Sequence, residues 1–201
     1  QDFIDALKKT GMPACRLPGG LFVSGWEWKD SIGPKDQRKK HLDLAWYQYI
    51  TNEVGHDEYL QWAERVNTEA MYTINLGTAD MRDAIHVVEY TNHEGGTWWS
   101  DLRRKNGHEK PYGVKTWYLG NEMDGPWQIG HKTAEEYGRI ATEAAKVMRR
   151  TDPSIELVAC GSSALGMKTF GEWEMTVLDH TYDYVDYLSL HTYYKNRDND
   201  T

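Results

Sequence analysis

Cysteine, phenylalanine and long apolar runs are what this sequence has least of. It holds two cysteines and three phenylalanines in 201 residues. Cys15 and Cys160 can form at most one bridge, which excludes a small disulfide scaffold; both lie in apolar, strand-like runs and read as buried reduced thiols. No stretch approaches the roughly 18 apolar residues that a bilayer span needs. Mean hydropathy is low, at -0.76, so a membrane-resident chain is excluded and no membrane partner is expected. Basic residues are also in short supply. Lys+Arg total 23 against 31 Asp+Glu, a formal net charge of -8, and this argues against nucleic acid, which needs a basic face. No GxGxxG or GxxxxGK[ST] follows any strand-like run, so the phosphate cradles of nucleotide folds are missing. The eight histidines are scattered, without HExxH or a CxxC pair, so no metal or other cofactor is expected. The chain opens on Gln1-Asp2-Phe3-Ile4 without an initiator Met, a basic region or an apolar signal stretch. It ends on a polar loop, 196–201, and both ends are expected to be interior points of a longer chain.

Tryptophan and tyrosine, by contrast, are abundant: nine and 13. Each joins a large apolar face to a polar tip and suits a surface that both stacks and hydrogen-bonds, as a sugar ring requires. Core filling is the competing reading for more than half of them. Along the chain, apolar β-rich runs recur at 14–17, 71–76, 114–119, 155–160 and 185–190. Segments of helical period separate them. Thr133-Ala134-Glu135-Glu136 is a capping box, after which Tyr137, Ile140, Ala141, Ala144, Ala145 and Met148 form one stripe until Asp152-Pro153 stops the helix. Met81, Ala84, Ile85 and Val88 mark a second helix, Leu60, Ala63 and Val66 a third, and Phe3, Ile4 and Leu7 an N-terminal one.

Strand–helix alternation with near-continuous apolar strands predicts a parallel sheet covered by helices. An open doubly wound sheet and a (β/α)8 barrel compete. Every strand runs into a polar or Gly-containing cluster: Pro18-Gly19-Gly20, Asn75-Leu76-Gly77-Thr78, Gly120-Asn121-Glu122, Gly161-Ser162-Ser163 and His191-Thr192-Tyr193-Tyr194. Chemistry-bearing side chains on consecutive strand ends fit the active face of a barrel. Five strands are too few for eight, so one domain, 1–201, is expected to be a partial (β/α)8 TIM barrel.

Glu122 closes an apolar strand, where desolvation is expected to raise its pKa and suit it to proton donation. Gly120 permits close approach and Asn121 offers an amide to a hydroxyl. The plainer alternative, a helix cap or a surface residue, stays open for Glu122. Asp124 sits in a Met-Asp-Gly-Pro turn, where turn formation suits it. Glu172 and Glu174 fall at a helix start, expected to be remote from the strand ends. His86 reads as structural and His108 as a solvated loop residue.

The segment from Gly120 to His131, reading Gly-Asn-Glu-Met-Asp-Gly-Pro-Trp-Gln-Ile-Gly-His, resembles the acid/base segment of glycoside hydrolase family 51, the α-L-arabinofuranosidases. Arg16-Leu17-Pro18-Gly19-Gly20, Gly25-Trp26-Glu27-Trp28, Ile32-Gly33-Pro34, Asn75-Leu76-Gly77-Thr78, Val158-Ala159-Cys160-Gly161-Ser162-Ser163 and Ser189-Leu190-His191 extend the resemblance over nearly the whole chain. It implies a barrel followed by a β-sandwich, of which about strands 2 to 6 are present. The first strand, with a substrate-binding Glu, the seventh, with the nucleophilic Glu, the eighth, and the β-sandwich would lie outside the chain. It implies release of terminal α-L-arabinofuranosyl residues from arabinan, arabinoxylan or arabino-oligosaccharides with retention, Glu122 being the general acid/base. Asn75 and Asn121 would hold furanose hydroxyls, His191 and Tyr193 would line the site, and Trp127 and Trp99 would flank the leaving group. A cytoplasmic location and a homo-oligomeric full-length enzyme are further implications. Leu21 departs from the family's Gly-Gly-Asn-Phe, which puts fine substrate preference in doubt, and Tyr118 stands where Cys is common. Two rivals remain: an inert or merely sugar-binding fragment, and another retaining barrel glycosidase such as a xylosidase or endoglucanase.

Overall fold

The computed structural model describes residues 2–194; the polar end at 196–201 lies outside them. Helix α1 (Asp2–Thr10) leads into strand β1 (Ala14–Leu17), followed by short 3-10 turns and a hairpin of β2 (His41–Asp43) and β3 (Gln48–Ile50). After α2 (His56–Val66) and β4 (Glu69–Thr73) come α3 (Met81–Asn92), α4 (Trp98–Lys105) and β5 (Thr116–Tyr118). Helix α5 (Ala134–Thr151), β6 (Glu156–Cys160), α6 (Glu172–Thr181) and β7 (Tyr187–Ser189) complete the order. Strands β1, β4, β5, β6 and β7 form one parallel sheet in that spatial order, which never doubles back. This is an α/β fold built on a parallel sheet.

The strands are shorter than their apolar runs where glycine turns the chain away. Leu119 N still donates to Val158 O at 2.9 Å, but Gly120 then adopts φ 90 and ends the pairing of β5. Helix α5 begins on the expected box: Thr133 Oγ1 accepts from Glu136 N at 3.3 Å, and Glu136 Oε2 accepts from Thr133 N at 2.9 Å. Its stripe of Tyr137, Ala141, Ala144, Ala145 and Met148 is fully buried, while Ile140 stays at the margin. Gly138 brings α5 against α6, so closely that a Cβ there would fall 2.7 Å from His180 Cδ2. In α3, Ala84 and Val88 are buried but Met81 and Ile85 only half so; Val87, Tyr90 and Thr91 complete the inner face. Helix α2 buries Leu60, Ala63 and Val66. Helix α1 buries no residue fully: Phe3 is 72% exposed, while Ile4 and Leu7 on the same face are half-buried.

Polar bonds stitch the helices to the sheet from inside. His56 is fully buried between Tyr72 OH (2.8 Å) and Thr91 Oγ1 (3.1 Å), and burial pushes its pKa down to about 3. Both cysteines are free; Cys160 is buried, but Cys15, on strand β1 with a single neighbour, is only half-buried, contrary to expectation. Core filling accounts for Trp26, Trp28, Trp117 and Trp173. His108 is not merely solvated: it stacks on Tyr112 with centroids 3.8 Å apart, and its ring nitrogens meet Lys110 O and Glu64. Among the described residues no helix is long and apolar enough to cross a membrane.

Candidate active site

Tyr137 sets the end of β5. Its hydroxyl donates to Leu119 O at 2.8 Å and accepts from Cys160 N at 2.7 Å, so one buried phenol holds the β5 and β6 ends together. The turn that follows is tight. A Cβ on Gly120 would meet Met123 at 3.0 Å, and Gly125 N closes onto Glu122 O at 2.9 Å. Glu122 itself sits at φ 47, in the left-handed region that a residue with a Cβ adopts at a cost of about 1–3 kcal/mol. Such a conformation persists only where the surrounding structure over-determines it.

The aim is into a cleft of about 770 Å³ lined by Arg16, Leu21, Trp46, Asn121, Trp127, His191 and Tyr193, among others. Glu122 is 8% exposed. Its Oε1 accepts from His191 Nδ1 at 2.8 Å and from Tyr193 OH at 3.2 Å, and its Oε2 from Trp127 Nε1 at 3.2 Å. An ionised carboxylate only accepts, which assigns the proton of this contact to His191 Nδ1. The expected upward pKa shift is not what this environment produces. The His191 hydrogen bond acts most strongly and, with Trp127 and Tyr193, outweighs burial, holding Glu122 below the usual glutamate value. Desolvation was the right force to expect, but three donors to the charged form overcome it.

Asn121 is 2% exposed, and its Oδ1 accepts from Arg16 Nη1 at 2.8 Å. That bond fixes the amide orientation and leaves Asn121 Nδ2 buried without a partner. Gln128 Nε2 donates to Asn121 O at 2.7 Å and also reaches Ser24 Oγ, pinning the backbone beneath. Arg16 lies over the Tyr118 ring, 5.6 Å from its centroid. A backbone contact seats the loop that carries Trp127: a Cβ on Gly130 would fall 2.2 Å from Gly77 O.

Glu122, Asn121, His191, Tyr193 and Trp127 thus meet in one cleft; Asn75 and Trp99 do not line it. All of the Asn75 amide is engaged locally. Its Oδ1 accepts from Gly77 N and Thr78 N at 3.0 Å each, and its Nδ2 donates to Trp26 O and Thr78 Oγ1, an Asx turn closing β4. Trp99 packs on α4 against Trp28 and His86, with centroids 5.4 and 4.7 Å away. Glu174 is not remote from the strand ends: its Oε1 accepts from Ser162 N at 2.6 Å, just past β6, and its Oε2 from Gly171 N at 2.7 Å. Both oxygens are thereby committed to backbone. Arg16 and Trp46 are cleft residues that the sequence reading left without a role; only their placement beside polar strand ends and a hairpin could have signalled them.

Residues 6–201 match the family model described as the alpha-L-arabinofuranosidase 1 domain. The chain belongs to the family 51 α-L-arabinofuranosidases. It is 60% identical over 199 residues to the intracellular exo-alpha-(1->5)-L-arabinofuranosidase 1 of Bacillus subtilis, covering 99% of this chain and 40% of that relative. Over 200 residues it is 58% identical to the Halalkalibacterium halodurans intracellular exo-alpha-(1->5)-L-arabinofuranosidase, again 40% of the relative. The chain therefore spans about two fifths of the length of these arabinofuranosidases. Among solved structures, AbfB of Bifidobacterium longum, a family 51 α-L-arabinofuranosidase, superposes with TM-score 0.96 at 45% identity, covering 98% of this chain and 39% of that one. An endoglucanase, Cel44A of Clostridium thermocellum, shares the fold alone, at TM-score 0.58 and 14% identity.

Proposed function

We propose that this chain carries the proton-donating half of a retaining, exo-acting α-L-arabinofuranosidase, with Glu122 as general acid and then general base. The observation that carries this is the convergence of His191, Tyr193 and Trp127 on a strained, cleft-facing carboxylate. The sheet reads as strands 2 to 6 of a (β/α)8 barrel, since its spatial order follows the chain order, whereas a doubly wound sheet reverses. Retaining hydrolysis needs a second carboxylate about 5–5.5 Å from the acid. In the full protein it attacks the anomeric carbon while Glu122 gives its proton to the leaving oxygen. Glu122 then takes a proton from the water that releases arabinose. A second negative charge so close pushes the shared proton onto Glu122, reversing the low pKa that it has in this chain. Asn121 Nδ2, buried at the edge of the cleft and left without a partner while Arg16 holds Oδ1, is the donor that a furanose hydroxyl would satisfy.

The substrates of this reading are terminal arabinofuranosyl groups of arabinan, arabinoxylan or arabino-oligosaccharides. Its location is inside the cell, in keeping with relatives named intracellular and with two free thiols. In a protein extended past Thr201 to supply the nucleophile, Glu122→Ala is expected to cut turnover of arabino-oligosaccharides far more than that of activated aryl arabinofuranosides, whose leaving groups need no proton. Equal loss on both substrates would remove the acid role. For the 201-residue chain alone, arabinose binding without hydrolysis is expected, because among the described residues no second carboxylate lines the cleft with Glu122. Tryptophan fluorescence of Trp127 and Trp46 reports the binding; turnover by this chain would overturn the division of roles.

A further inference from the structure

The turn bearing Glu122 is tied down by a buried carboxylate. Asp124 is 9% exposed, and its Oδ1 and Oδ2 lie 3.1 and 3.0 Å from Ser163 N, with Oδ2 3.3 Å from Ser163 Oγ. Ser163 follows β6 and stands 39 residues away in sequence, so the contact joins the β5 turn to the neighbouring strand end. Burial raises the Asp124 pKa above the ordinary value against the Ser163 donors, and the nearby charge of Glu122 adds to the rise. The contact of Asp124 has a consequence two residues upstream, where Glu122 is strained.

We propose that Asp124 is a positioning residue: by fastening the 120–125 turn to Ser163 it holds Glu122 in its left-handed conformation and keeps that carboxylate within reach of His191, Tyr193 and Trp127. The role rests on Glu122 being the acid of the proposed reaction. It is read, however, from the ionisation of Glu122 in the chain and not from turnover, so either can fail without the other. The groups facing Glu122 are His191 and Tyr193 after β7, Trp127 from its own loop and Arg16 from β1.

Losing the Asp124 charge by itself lowers the Glu122 pKa, so Asp124→Asn lowers it if Asp124 acts only by its charge or as a structural tie. If Asp124 positions Glu122, the loosened turn loses donors and the pKa rises instead. The test is a carbon-13 NMR titration of Glu-labelled chain, with Glu122 assigned by its loss in Glu122→Gln. Asp124→Asn is expected to raise the Glu122 pKa by about half a pH unit or more. No change, or a fall, overturns the proposal. Ser163→Ala removes only the hydroxyl contact and is expected to move Glu122 the same way by less. Should Asp124→Asn fail to fold, Ser163→Ala decides alone: a rise supports the positioning role, and no change or a fall overturns it.

Discussion

Three donors converge on the Glu122 carboxylate while burial works against them, and the donors win. A carboxylate whose folded pKa lies below its unfolded value adds stability that is fully present above the unfolded value, here 4.5, and disappears as pH falls through the folded one. His191 contributes the largest share, so His191→Ala should raise the Glu122 pKa and narrow the difference in urea stability between neutral and acid pH. A difference as wide as in the parent would show that His191 does not set the ionisation of Glu122. Local sequence revealed this site only in part. Asn121, Glu122 and Trp127 stood out because they lie together past an apolar strand. The direction of the pKa shift did not, because two of the three donors come from 69 and 71 residues away. The reach of Asp124 to Ser163 was hidden for the same reason. Asn75 is less legible still, since an asparagine at a strand end serves a turn as readily as a ligand, and here its amide is bonded within the turn.

Helices α2 and α3 meet strand β4 through His56, a histidine with a folded pKa of about 3 against 6.5. Between those values the unfolded chain binds the extra proton, so stability declines as pH falls through that window. His56→Phe should flatten this decline in denaturant melts at pH 7 and 4.5. It should also cost about 1–3 kcal/mol at pH 7, by leaving the buried Tyr72 hydroxyl without its partner, while Thr91 keeps its bond to Val87 O. A slope equal to the parent's would locate the acid sensitivity elsewhere. Where α5 crosses α6, Gly138→Ala forces a Cβ onto the His180 ring and is expected to cost about 1–3 kcal/mol, read as a lower melting temperature. Helix α5 was legible because its box uses glutamate and its stripe is long. Helix α4 was not: it starts on Thr97 and Ser100, without the glutamate or glutamine that marks such a box. The β2–β3 hairpin escaped notice because its strands are three residues long and pair Leu42 with Tyr49, both exposed.

Across the whole molecule, the parallel sheet was legible from alternating periods, yet its edges follow only from the pairing. Among the described residues β1 and β7 have one neighbour each, leaving backbone donors and acceptors without strand partners. The 201-residue chain is therefore expected to associate as its concentration rises, which sedimentation velocity measures; a monomer at every concentration would mean that the edges are covered. Spatial order that follows chain order has a consequence for synthesis. As the polypeptide leaves the ribosome, each strand can dock on a neighbour already made, with β1 waiting for β4 and β4 for β5. Arg16 arrives first, Glu122 midway, and His191 and Tyr193 only after β7 emerges. The nascent protein holds its acid before it holds the groups that govern the proton, so the chemical character of Glu122 is set later than Glu122 itself is made.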